Sequence, residues 1–102
     1  MPAKLVRDRI PERFPGGTYR KLDEAEYAAA LLDKLTEEVE EYRADRTAEE
    51  LADVLEVLHA LAAFHGLMPG TLETLRAKKA AERGGFEERV WMEYNPDQTN
   101  AR

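Results

Sequence analysis

The chain has 102 residues, enough for one domain with a modest hydrophobic core, so self-association is an economical way to bury more apolar surface. Its formal charge of -6 and pI near 5.0 lack the basic stripe that a nucleic-acid polymer or an anionic membrane would require, and a polyanionic ligand would have to be met through cations. The absence of cysteine excludes disulfides, thiolate zinc sites and cysteine nucleophiles, and with no long apolar run or signal peptide in the sequence the expected location is cytoplasmic.

From the N-terminus, Lys4 to Pro11 reads as a short strand or an extended arm, basic through Lys4, Arg7 and Arg9 in an acidic protein, and Phe14-Pro15-Gly16-Gly17 as a loop. Asp23 as N-cap and Glu26 three residues on form a capping box, with Leu22 against Tyr27 as a hydrophobic staple, and a helix is predicted over about 24–44. Its Leu31, Leu32, Leu35, Val39 and Tyr42 recur at three- and four-residue steps and form one apolar stripe. Thr47 and Glu50 supply a second capping box, and Gly66 a stop, for a helix over about 48–65 with Leu51, Val54, Leu55, Leu58, Leu61 and Ala62 on one face. These two helices form a hairpin. A third helix is expected over about 70–83, after Pro69 and before Gly84-Gly85, with Leu72 and Leu75 as its main large apolar residues. Phe86 to Tyr94 then alternates as a short strand would, and residues 95–102 read as a mobile tail. The expected fold class is all-α, one domain over 1–102, with short extended N- and C-terminal segments.

The hairpin carries two acidic clusters, Glu37-Glu38-Val39-Glu40-Glu41 and Glu50-Leu51-Ala52-Asp53. Stepping about 100° per residue puts Glu38 roughly 60° and Glu41 roughly 120° from the centre of the first apolar stripe, on one flank, while Glu37 and Glu40 fall nearly opposite the core. Glu50 and Asp53 take the matching positions on the second helix, and Glu49 and Glu56 point away. The connection through Arg43 to Arg46 is short, so an antiparallel hairpin brings the two pairs to similar height. Carboxylates gathered this closely repel one another and take up protons unless a divalent cation binds them; magnesium, or manganese in its place, suits an all-oxygen site and would bring phosphate chemistry with it. Lys34 lies on the flank of Glu38, and Lys78, Lys79 and Arg83 end the third helix beside a glycine pair, where the main chain can approach a phosphate; the basic arm adds Lys4, Arg7 and Arg9.

Acidic runs on helices are most often solvated faces, and with 35% charged residues such runs are common. Glu50 has a local role in its capping box, and Glu41 can pair with Arg43 at the surface. The second cluster, on the matching flank at matching height, turns the balance toward a metal site. His59 and His65 have no partner cluster, and Phe86, Trp91 and Tyr94 read as core or dimer interface rather than a base-stacking platform.

The pattern Lys34-Leu-x-Glu37-Glu38-x-x-Glu41 followed by Glu50-x-x-Asp53 resembles the signature of the MazG-like all-α nucleoside triphosphate pyrophosphatases. The opening Lys4-Leu-Val-Arg-Asp-Arg-Ile-Pro11, the block from Glu50 to Leu58 and the ending Lys78 to Arg83-Gly-Gly-Phe86 are similar to the phosphoribosyl-ATP pyrophosphohydrolase-like branch, and the resemblance covers about residues 4–93. It implies a homo-oligomer, a dimer or larger, whose helices assemble a bundle, and magnesium-dependent cleavage between the α and β phosphates to give a nucleoside monophosphate and pyrophosphate. Carried over position by position, Glu38, Glu41, Glu50 and Asp53 ligate metal, and Glu37 joins them or orients water, which sets Glu37, Glu38 and Glu41 as the catalytic group. Lys34, Lys78, Arg83, Lys4 and Arg7 are the expected phosphate contacts, with Glu37 ranked below the other four acids because the helical wheel turns it outward. The short connection between the clusters departs from many relatives and leaves less loop to shape a base pocket.

The expected activity is therefore a nucleotide pyrophosphohydrolase that clears noncanonical triphosphates. Hydrolysis of phosphoribosyl-ATP is the enzymatic alternative. A noncatalytic helical oligomer that binds a protein partner, and a nucleotide sensor that keeps the fold and metal site without turnover, are the others.

Overall fold

In a computed structural model, which describes residues 3–96, the protein is all-helical. After an extended stretch, Pro11 in the first turn of a four-residue helix, α1 (Ile10–Arg13), ends the N-terminal arm. Asp23 Oδ1 accepts from the Glu26 N–H at 2.8 Å and Glu26 Oε1 accepts from the Asp23 N–H at 3.2 Å, so the capping box closes and opens the long helix α2 (Glu24–Asp45). Arg46 terminates it in the left-handed conformation at φ 55°, donating its N–H to the Tyr42 carbonyl at 2.7 Å. Thr47 then caps α3 (Ala48–Phe64), its hydroxyl accepting from the Glu50 N–H at 3.3 Å.

Gly66, at φ 79°, ends α3 in a Schellman arrangement, with the Leu67 N–H on the Ala62 carbonyl at 2.8 Å and the Gly66 N–H on the Ala63 carbonyl at 2.9 Å. The chain bends by 105° and Pro69 starts α4 (Pro69–Arg83), which Gly84 stops at φ 81°. All three long helices lie within a residue of the ranges expected from the sequence. No single helix among the described residues is long and apolar enough to cross a membrane.

Packing departs from the sequence reading in three respects. The arm takes the extended form rather than the strand and turns at Ile10 into the unexpected α1, and Phe86 to Tyr94 is irregular, with a turn in which the Arg89 N–H reaches the Phe86 carbonyl at 3.2 Å; no strand occurs among the described residues, because neither segment finds a neighbouring strand to complete a ladder. The tail expected at 95–102 falls mostly outside the described residues. The third departure is the orientation of the hairpin. Its seam is built on Leu31, 2% exposed, with Val57 and Ala62, and Tyr27 meets Phe64 at 6.1 Å between ring centroids. Leu32, 59% exposed, with Val39, Leu51, Leu55 and Leu58, faces outward although the stripes placed them in the core. Both helices are apolar over more than one face, and the hairpin uses one of them.

Candidate metal centre

Rotation of the seam toward Leu31 and Val57 carries Glu38 inward with it. Glu38, on α2, is only 7% exposed, and it meets Glu50 and Asp53 from the first two turns of α3. One carboxylate oxygen from each of these three lies within 4.8 Å of the others. Oε2 of Glu38 and Oε2 of Glu50 are buried and accept no hydrogen bond. A buried acceptor without a donor costs about 1–3 kcal/mol, so an orphaned oxygen such as that of Glu38 calls for a partner. A cation holding oxygens at about 2.1–2.5 Å reaches donors up to about 4–5 Å apart, so three oxygens within 4.8 Å of one another can share one ion, and three carboxylates with no sulfur or imidazole among them form a donor set for magnesium, manganese or calcium. The residues therefore fit a hard divalent ion.

Electrostatics follow from the crowding. The Glu38 carboxylate beside it pushes the Glu41 pKa up, helped by partial loss of water and by the charges of Glu50 and Glu37. Removal from water raises Glu50, and the charges of Asp53, Asp45 and Glu38 add to the effect. Lys34 moderates the field: burial pushes its ammonium down, but the Glu37 and Glu38 carboxylates outweigh that and raise it, with the Nζ 3.2 Å from Glu38 Oε1. The bond from Lys34 holds Glu37 below the usual carboxylate range, and Lys4 contributes from 3.4 Å.

The N-terminal arm lies across this centre. Arg7 Nη2 donates to Asp53 Oδ1 at 2.6 Å. Between the arm and the hairpin opens a cleft of about 420 Å³, lined by the apolar Leu5, Val6, Tyr27, Leu31, Val57 and Ala60 and by charged residues that include Arg7, Lys34, Glu38 and Asp53.

Of the acids expected to ligate metal, the structure brings together Glu38, Glu50 and Asp53; Glu41 is exposed at the edge, close enough to Glu38 and Glu50 to feel their charge but outside the trio. Glu37 is corrected: it is half-buried and bonded to Lys34 and Lys4 rather than turned opposite the core, because the hairpin packs on a face rotated toward it. Lys34 is where the sequence placed it, beside Glu38. Lys4 and Arg7 reach the centre, but on Glu37 and Asp53. Lys78 and Arg83 are not brought there: the 105° bend carries α4 away, both are exposed, and neither lines the cleft nor pairs with a cluster acid among the described residues. Glu50 accepts no bond from the Thr47 N–H and its carboxylate is in the cluster, so the second capping box is only half made. The residues missed from sequence are the apolar cleft wall and the direct Arg7–Asp53 pair; helical spacing carries no information on where an arm 46 residues away will lie. His59 and His65 stay outside the carboxylate group, His65 standing edge-on to Phe64 at 5.6 Å.

Comparison with protein-family models, with curated proteins and with solved structures gave no match for this chain.

Proposed function

We propose that the protein is a magnesium-dependent nucleoside triphosphate pyrophosphohydrolase of the MazG-like kind, cleaving between the α and β phosphates to release a nucleoside monophosphate and pyrophosphate, and serving in the cytoplasm to clear noncanonical nucleotides. Manganese can replace magnesium. The observation that carries this reading is the Glu38–Glu50–Asp53 trio, with two buried carboxylate oxygens that have no donor. Magnesium supplies phosphate charge neutralisation and the acidification of a water for attack at phosphorus. Glu38, Glu50 and Asp53 would hold the ion, with Glu41 at the edge of the site as a fourth carboxylate. Glu37, bonded to Lys34 and held below the usual carboxylate range, acts by fixing that lysine. Lys34, with Lys4 and Arg7 of the arm, would meet the phosphates.

Self-association belongs to the same reading. The radius of gyration is 17.4 Å, against about 13 Å for a compact chain of this length, and a row of leucines lies outward on the hairpin. A homo-oligomer, dimer or larger, would cover these faces. The same uncovered faces also favour the second reading, a noncatalytic helical oligomer that binds a partner.

The test is magnesium-dependent pyrophosphate release across canonical, deoxy, oxidised and methylated nucleoside triphosphates and phosphoribosyl-ATP, with Glu38→Gln as control and the mass in solution measured in parallel. Release that Glu38→Gln abolishes supports the enzyme, and the preferred substrate separates its two branches. No release, with metal and nucleotide still bound, marks a sensor; no metal binding marks the noncatalytic oligomer.

A further inference from the structure

The arm residues ahead of α1 make no backbone hydrogen bond to the hairpin among the described residues; Lys4–Glu37 and Arg7–Asp53 tie them down, with Leu5 and Val6 half-buried below. Arg7 is the informative tie. Its partner belongs to the carboxylate trio, its side chain is 57% exposed, and it lines the same cleft as Lys34. A guanidinium 2.6 Å from one oxygen of Asp53 stands within a few ångströms of any cation on the same carboxylate, and like charges that close repel. A planar guanidinium also binds phosphate oxygens as readily as carboxylate oxygens, through the same two-pronged geometry.

We propose that Arg7 is an exchangeable counter-ion: it holds Asp53 while no divalent ion is bound, yields that carboxylate to the ion, and then binds a phosphate of the substrate. The arm thereby becomes part of the phosphate site only when the metal is loaded. This rests on the metal-dependent reading above and assigns Arg7 an exchange between carboxylate and phosphate that Arg9 does not share, because Arg9 lines the same cleft without an ion pair to the trio.

The experiment titrates Mn2+ into the full chain, following free Mn2+ by electron paramagnetic resonance, and titrates inorganic pyrophosphate at saturating Mg2+ by calorimetry. Arg7→Met, Arg9→Met and the unmodified protein are compared, with helicity checked by circular dichroism. Arg7→Met is expected to tighten Mn2+ about two- to fivefold, the range for losing a competing exposed ion pair, and to weaken pyrophosphate about tenfold. Arg9→Met should change neither by as much as twofold. The proposal is overturned if Arg7→Met leaves Mn2+ affinity unchanged or lower, if Arg9→Met tightens Mn2+ equally and so reveals a general field effect, or if pyrophosphate binding ignores Arg7. Failure of the unmodified protein to bind Mn2+ at all overturns the metal-dependent reading itself. Normal Mn2+ binding insensitive to Arg7 removes only the exchange.

Discussion

The N-termini of α2 and α3 start from the same local motif and put its glutamate to opposite uses. At α2, Glu26 returns its carboxylate to the Asp23 N–H and pairs with Arg20, whose bond, followed by that from the Asp23 main chain, lowers its pKa to about 2. At α3, Thr47 makes its half of the box, but Glu50 turns from the helix end into the carboxylate centre, where loss of water and the neighbouring acids raise its pKa. One glutamate serves folding. The other leaves the helix end uncapped on that side and joins Glu38 and Asp53 instead.

The largest effect that would break this contrast is on turnover. Glu38→Gln keeps the shape of the buried side chain but removes its charge, and pyrophosphate release should fall by at least about 100-fold while the helicity measured by circular dichroism is unchanged. Retention of activity would remove Glu38 from the site. Next in size is the response to magnesium. At about 100 times its dissociation constant the ion should stabilise the folded chain by about 2.7 kcal/mol through linkage, visible as a rise of several degrees in melting temperature, and Glu50→Gln should cut that rise while Glu26→Gln leaves it intact.

The two glutamates should also pull the pH profile in opposite directions. Glu26, with its folded pKa lowered, contributes stability that is present above the ordinary carboxylate value and is lost as pH falls from about 4.5 through about 2. Glu50 and Glu41, with folded values raised, disfavour the metal-free fold at neutral pH, and that cost is relieved as pH falls through their raised values. Urea midpoints against pH should therefore show Glu26→Gln flattening the acid limb and Glu50→Gln flattening the slope above it. A Glu50→Gln profile parallel to the native one at every pH would erase the distinction. The smallest effect is at the caps themselves: Thr47→Ala should cost about 1 kcal/mol, and Asp23→Ala more, since it opens a complete box rather than half of one.

These elements also show which parts of the molecule sequence can convey. Helix ends were legible because Asp23, Thr47, Pro69, Gly66 and Gly84 act on the chain within a few residues. The trio was legible because residues three apart share a helix flank and the short link sets the height of the two flanks. The face on which the hairpin packs was not, since Leu31 and Leu32 are adjacent and both apolar, yet one is the most buried side chain and the other lies open. That ambiguity misplaced Glu37. The pairing of Arg7 with Asp53 and the departure of α4 with Lys78 and Arg83 depend on long-range packing and on a bend whose angle the sequence does not state.

The link between α2 and α3 consists of Arg46 and Thr47 alone, with Arg46 in a conformation that a non-glycine residue adopts at some cost. A longer link would release α3 to turn and slide against α2, and Glu50 and Asp53 would leave the flank that meets Glu38. Every carboxylate would survive such an insertion, and the centre would not. The link is thus the gauge to which the site is cut, and its length in residues is as much a ligand-setting property as the identity of any acid.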